Sequence, residues 1–319
     1  MDTKLTEITV VGDDDTGLLA RITSLLFENN INIEDLDQEV KDDVFRMTMR
    51  VDTSEMDCSE NELEDDLATL CEELDVDARV RFTDGDECES VAVLVTKESH
   101  CLQALLEEAE SGELGADIDV VIGNHAKLQP LAEKHDVPFH DIGDEEGVPD
   151  EDELIELLDK YDVDLIALAR YIRILSPDVV FRYQNRIINV HPSLLPAFPG
   201  AAAYMQAIEE GVRIAGVTAH YVTPDLDQGP IITQRAFNVP DDATEAELEE
   251  RGQPLEADAL IEAIKLHLNN DIIAGKGRTN VQADDTELGL PEEITELNPD
   301  GPVDKDSVKA QNLAEPADD

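Results

Sequence analysis

The 319-residue sequence is short of positive charge, with 23 Lys plus Arg against 76 Asp plus Glu and a formal net charge of -53. Recognition of phosphate backbones calls for a basic footprint, so DNA and RNA are excluded as partners, and docking on anionic lipid falls with them. No apolar run approaches the length that spans a bilayer, and the start, "MDTKLTEITV", lacks a basic segment followed by an apolar one. These absences lead to the expectation of a cytoplasmic protein. Cysteine is scarce and scattered (Cys58, Cys71, Cys88, Cys101), with no CxxC pair, so reduced thiols are expected rather than disulfides or a thiolate metal centre. There is no HExxH, and His135 and His140 lack zinc spacing. "GDDDTG" (12 to 17) lacks the Lys-Ser/Thr ending of a phosphate loop. No metal and no cofactor are expected.

What is abundant is acid, and it is spread through nearly every segment while 41% of residues remain hydrophobic. A chain of that composition builds real cores beneath a surface that holds water and cations. The expectation is a protein from a salt-loving microbe, where concentrated salt screens its self-repulsion.

Periodicity divides the chain in two. Residues 6 to 11 read as a strand, and Leu18, Leu19, Ile22, Leu25 and Leu26 recur at helical spacing behind acids suited to a helix start. A short strand falls around "INIEDLDQEV". "VFRMTMRV" then alternates, with Phe45, Met47, Met49 and Val51 on one face and Arg46, Thr48 and Arg50 on the other. A second amphipathic helix (Leu63, Leu67, Leu70, Cys71, Leu74) and a strand over "DARVRF" complete a ferredoxin-like βαββαβ order. A polar linker at 84 to 89 separates this 1–83 module from a second domain at 90–283. There, strands "SVAVLV", "DVVIG", "VPFHDI", "DLIALA" and "RIINV" alternate with helices near 99–110, 126–135 and 151–160. Such alternation means a Rossmann-like, mainly parallel sheet covered on both faces. "GVTAHYV" and "GPIITQRAFNV" suggest an antiparallel extension. The closing helix from "ATEAEL" to "KLHL" is expected to break near Gly252 to Pro254, and residues 284–319 read as an acidic, disordered tail.

Ligands of open α/β sheets sit beyond the carboxyl ends of the strands. Asn189 and His191 occupy that end of "RIINV", and a period of two points both side chains the same way. Asp225 and Asp227 precede the Gly229-Pro230 turn. If that loop folds over His191, amide, imidazole and carboxylate converge where they could orient a water, take its proton and hold an oxyanion. Ser193 lacks a nucleophile elbow and is the weaker candidate. His125, at a strand–helix junction, could line the site or cap the helix.

"INVHPSLLPAFPG", "ARYIRILSPDVV" and "TAHYVTPDLDQGPII" together resemble the folate-dependent formyltransferase fold, over roughly residues 90 to 283. That family includes glycinamide ribonucleotide formyltransferases and formyltetrahydrofolate deformylases. The resemblance implies catalytic roles for Asn189, His191 and Asp227, a pterin-holding role for Arg173, Ile174 and Leu175, and substrate contacts from Thr223 and Asp225. The N-terminal module, with "TGLLARITSLLFENNINI", resembles an ACT domain. Such a domain implies a homo-oligomer and an amino-acid effector, such as glycine or methionine, near Gly12 and Gly17. The ACT-like module and the loss of glycines from "VLVTKESHCLQALL" point to the deformylase branch, although His191-Pro192-Ser193 follows the transferase pattern. The implied activity is hydrolysis of 10-formyltetrahydrofolate to formate and tetrahydrofolate, feeding one-carbon and purine metabolism. A glycinamide ribonucleotide formyltransferase and a non-catalytic folate- or metabolite-binding protein are the alternatives.

Overall fold

The computed structural model describes residues 4–41, 44–82, 90–269, 271–275 and 277–281. The expected linker at 84–89, Cys88 and the expected tail at 284–319 lie outside these residues.

The N-terminal module runs β1 (Leu5–Asp13), α1 (Leu18–Glu28), β2 (Asn32–Lys41), β3 (Val44–Asp52), α2 (Glu60–Leu74) and β4 (Val76–Phe82). Its four strands form an antiparallel sheet in the order β2-β3-β1-β4. The alternation of β3 works as the sequence predicts: Phe45, Met47, Met49 and Val51 enter the core with Ile22, Leu26, Leu63 and Leu67 of the two helices. The acids expected in the first turn of α1 are not there. Asp13 ends β1, Asp14 and Asp15 fall in the turn, and Gly17 caps the helix with a left-handed φ of 98°. α2 starts on a full capping box between Ser59 and Glu62.

The second domain continues with β5 (Ser90–Val95), α3 (His100–Glu110), β6 (Asp117–Gly123), α4 (Gln129–Lys134), β7 (Phe139–Asp141), α5 (Glu151–Lys160), β8 (Leu165–Ala169), α6 (Pro177–Arg182), β9 (Ile187–His191), α7 (Ala203–Glu209), β10 (Ile214–Tyr221), β11 (Ile231–Asn238) and α8 (Glu245–Leu268). A hairpin of β12 (Ile272–Gly275) and β13 (Arg278–Val281) follows, which the sequence pattern had not suggested. The seven-stranded sheet has the order β11-β10-β9-β8-β5-β6-β7. β9, β8, β5, β6 and β7 are parallel, and β10 and β11 extend them antiparallel. β5 and β8 are almost wholly buried, as befits parallel strands covered on both faces.

Three further departures from the sequence reading have physical reasons. The helix expected over 126–135 begins as a 3-10 turn at Ala126–Leu128 and turns α-helical only as far as Lys134, because Pro130 suits a first turn. α6 and α7, of six and seven residues, are too short to show a helical period. α8 is not broken: it runs 24 residues with Pro254 inside. Contacts on both sides of the proline hold it, Leu248 in the core before it and the Glu256 carboxylate bonded to Tyr204 after it.

The two modules share one compact unit that ends at Val281. The polar face of the antiparallel sheet is covered in part, where β1 and β3 pack on α6. Arg46, fully buried, lays its guanidinium 5.6 Å over the Phe181 ring and pairs through the same group with Asp37. Arg79 lies 5.3 Å over Tyr183, and Arg182 reaches back to Asp77 at 2.5 Å. Lys41, at the end of β2, meets Asp225 at 2.5 Å.

Candidate active site

β9 is apolar where it is covered, through Ile187, Ile188 and Val190, so Asn189 and His191 are its polar exceptions at the carboxyl end. β10 runs antiparallel beside it in a register that sets Thr218 opposite His191 and His220 opposite Asn189. The side chains follow the register: Asn189 Nδ2 lies 3.2 Å from His220 Nε2.

The loop from 222 to 230 folds over this pair, the arrangement on which the sequence argument was conditional. Two backbone features pin it. Tyr221 N–H donates to Pro230 O at 3.0 Å, and Gly229 passes so close beneath Tyr221 that a Cβ there would sit 1.7 Å from its carbonyl oxygen. Asp227 adopts a left-handed φ of 53°, a conformation acidic residues tolerate better than most and one common at working sites. Its side chain is 7% exposed, with Oδ2 accepting Gly200 N–H at 2.7 Å and lying 3.5 Å from His191 Nδ1. Its Oδ1 lies 3.9 Å from His220 Nε2.

The hydrogen bonds fix the protons. His191 Nε2 faces the carbonyl of Phe198 at 2.9 Å, and a carbonyl only accepts, so Nε2 carries a hydrogen. Nδ1 is then the nitrogen that exchanges a proton in front of Asp227. His220 Nδ1 similarly donates to Tyr221 O at 2.9 Å, which leaves Nε2 as an acceptor for the Asn189 amide. Burial pushes the His220 pKa down, ahead of the opposing pull of the Tyr221 carbonyl and Asp227, so the ring stays neutral near pH 7. Asn189 thus presents its amide in one orientation, with one N–H spent on His220 and one free. The cluster can accept a proton at a carboxylate–imidazole pair and donate to a developing oxyanion from a fixed amide.

The other expected residues divide. Ile174 is 71% exposed beside the exposed Ile172, while Leu175 is buried in the core that backs them. Ile172 N–H is held by Thr96 Oγ1 at 2.9 Å, and Arg173 bonds the carbonyls of Gly147 and Glu146 at 2.9 and 3.1 Å. Segment 172–175 therefore presents apolar side chains from an anchored backbone. Thr223 Oγ1 bonds the Asp225 carbonyl, and the Asp225 carboxylate is taken by Lys41 rather than aimed at His191. Ser193 donates to Ala197 O, so its hydroxyl is committed to the turn. His125 makes no side-chain cap, and its ring packs against Gly147. His135 pairs with Glu110 and His140 with Tyr161. In the N-terminal module, Gly12 is required because Val76 lies 2.6 Å from where its Cβ would be, and Gly17 by its φ.

His220 was missed from the sequence. Its part depends on the antiparallel register of β9 with β10, which no local pattern announces.

Comparison with known proteins gives a consistent picture. A formyl transferase family model matches residues 89–264 and an ACT domain model residues 7–81. A formyltetrahydrofolate deformylase of Bacillus subtilis is 39% identical over 276 residues, covering 84% of this chain and 90% of that protein. The crystal structure of a deformylase of the same name from Pseudomonas syringae superposes with a TM-score of 0.60 at 28% identity, covering 89% of this chain and 96% of that one. Glycinamide ribonucleotide transformylase 1 of Symbiobacterium toebii, TM-score 0.59 and 32% identical, is covered completely but accounts for 63% of this chain.

Proposed function

The chain belongs to the formyltetrahydrofolate deformylase family, and from that membership and the site we infer that it hydrolyses 10-formyltetrahydrofolate to formate and tetrahydrofolate. The observation that carries the reading is the His191–Asp227 pair, 3.5 Å apart and almost closed to solvent, with the Asn189 amide held beside it. A water entering between the formyl carbon and this pair gives up its proton to the carboxylate as it attacks. The carboxylate relays the proton to His191 Nδ1, whose new N–H joins the free Asn189 N–H in stabilising the tetrahedral oxyanion, and that proton then passes to the folate nitrogen as the C–N bond breaks. Side chains thus serve nucleophile, oxyanion and leaving group, so the chemistry calls for no metal or cofactor beside the folate. The anchored segment bearing Ile172 and Ile174 offers an apolar seat for the pterin ring.

The module at the N-terminus supports a homo-oligomer. β2 is an edge strand exposed along most of its length, with Leu36 39% and Val40 45% exposed, and a second copy pairing there would cover both. An amino-acid effector near Gly12 and Gly17 goes with the same module. No helix among the described residues is long and apolar enough to cross a membrane, and the acidic surface suits a cytoplasm rich in potassium salts. There the products would enter one-carbon and purine metabolism.

The deciding assay follows formate release from 10-formyltetrahydrofolate in concentrated potassium chloride, with and without glycinamide ribonucleotide. Release without the nucleotide is expected. Formyl transfer that appears only with it would replace the hydrolase by a transferase.

A further inference from the structure

A cavity of about 280 Å³ opens between the modules, walled by β1 and β4 on one side and by the ends of α5 and α6 on the other. Neither Gly12 nor Gly17 lines it. Its inner end is Tyr183, 1% exposed, with the Arg79 guanidinium 5.3 Å over the ring. Arg79 spends Nη2 on Asp162 and on the Val163 carbonyl, at 3.0 and 2.9 Å, but its Nη1 is buried without a hydrogen-bond partner. The Tyr183 hydroxyl is buried and partnerless too. Burial pushes its pKa up, ahead of the opposing pull of Arg79 and Arg186, so it keeps a proton to donate. Arg186 stands 5.4 Å over the same ring and adds positive charge there.

The outer end has the opposite sign. Asp77 and Asp162 are exposed and matched by Arg182 and Arg79. Asp159, in the last turn of α5, makes no side-chain hydrogen bond or ion pair among the described residues. Burial pushes its carboxyl up against the pull of Arg79 and Arg182. A carboxylate in a last helical turn also meets the negative end of the dipole, a place that suits a cation.

Buried donors left unmatched are costly, so the inner end calls for an acceptor. A bare anion would sit among three carboxylates, and a bare cation beside two guanidiniums. A molecule that carries both charges meets each end with the right sign, and Val11 and Ala78 add apolar lining for a short side chain.

We propose that the seam between the modules is a binding site for a small zwitterion of the amino-acid class, its carboxylate on Arg79 Nη1 and the Tyr183 hydroxyl and its ammonium at Asp159. The site uses none of the catalytic residues and does not rest on the deformylase reading. A ligand held only by the folded seam raises the melting temperature. Thermal-shift titrations with the common amino acids, singly and in concentrated potassium chloride, test it, with potassium acetate and methylammonium chloride as single-charge controls. At least one amino acid should give a saturable rise, and neither control should. Tyr183→Phe keeps the ring under Arg79 and should weaken the apparent Kd about tenfold, as loss of one charge-assisted hydrogen bond warrants. Asp159→Asn, at the more open end, should weaken it about threefold. Circular dichroism shows that both variants are folded. No response to any amino acid would overturn the proposal, and so would an equal response to acetate or methylammonium. A rise that both folded variants leave unchanged would place the ligand elsewhere and overturn it as well.

Discussion

Asn189 and His220 stand opposite each other across the β9–β10 pair, and their side chains meet at 3.2 Å. The imidazole is buried, neutral and tied to the Tyr221 carbonyl, so what it offers the amide is a fixed acceptor. His220 acts through Asn189. His220→Ala should lower kcat by about 10- to 100-fold, less than loss of an oxyanion donor itself, with the folate KM nearly unchanged. The double variant with Asn189→Ala should be no slower than Asn189→Ala alone, a non-additivity that a purely structural role would not produce.

Asp227→Asn keeps the volume of the side chain and its bond from Gly200, and removes the base we propose. A fall in kcat of about 10²- to 10⁴-fold is expected, with an unchanged circular dichroism spectrum. Full turnover in a folded variant would reassign the proton acceptor.

Gly229→Ala addresses the loop rather than the chemistry. With Tyr221 O 1.7 Å from the added Cβ, the strand-to-loop crossing has to open and carry Asp227 with it. A displacement of about 1 Å at the reacting groups costs on the order of 100-fold in rate, so steady-state kinetics below the lowered melting temperature should show a large loss in a variant that is still folded.

His267 provides a pH signature in stability. Burial, with Arg81 and Arg186 nearby, pushes its pKa down to about 4, and its Nδ1 lies 2.7 Å from the Tyr221 hydroxyl. The folded state resists a proton that the unfolded state takes below about 6.5. Stability is therefore complete above that pH and is lost as pH falls towards 4, at up to roughly 1.4 kcal/mol per unit from this group. Denaturant titrations at several pH values should show a shallower decline for His267→Gln than for the wild type.

The sequence made Asn189, His191 and Asp227 visible because each is a polar residue at a place where the backbone pattern stops: a strand end before Pro192, a loop before Gly229-Pro230. The layered architecture was visible because strand and helix periods alternate cleanly. What stayed hidden depends on partners far along the chain. His220 acquires its part from strand register, and Glu256 is one acid among 76 until Tyr204, His100 and Arg170 close on it. Alternation puts Arg46 on the face away from its own core, yet that face is covered by another domain and Arg46 is buried. Pro254 reads as a break only because helix rules are local, whereas α8 is held from outside.

The seam between the modules also bears on how such a protein could arise. Phe181 and Tyr183 are each 1% exposed beneath Arg46 and Arg79 of the antiparallel sheet. A catalytic domain without that cover would need a more soluble surface at and just after α6. With aromatic rings there instead, discarding the N-terminal module would uncover them, and the fusion would not be reversible by simple deletion. Inheritance would then preserve the pairing of the two halves even in a lineage where nothing binds the N-terminal one.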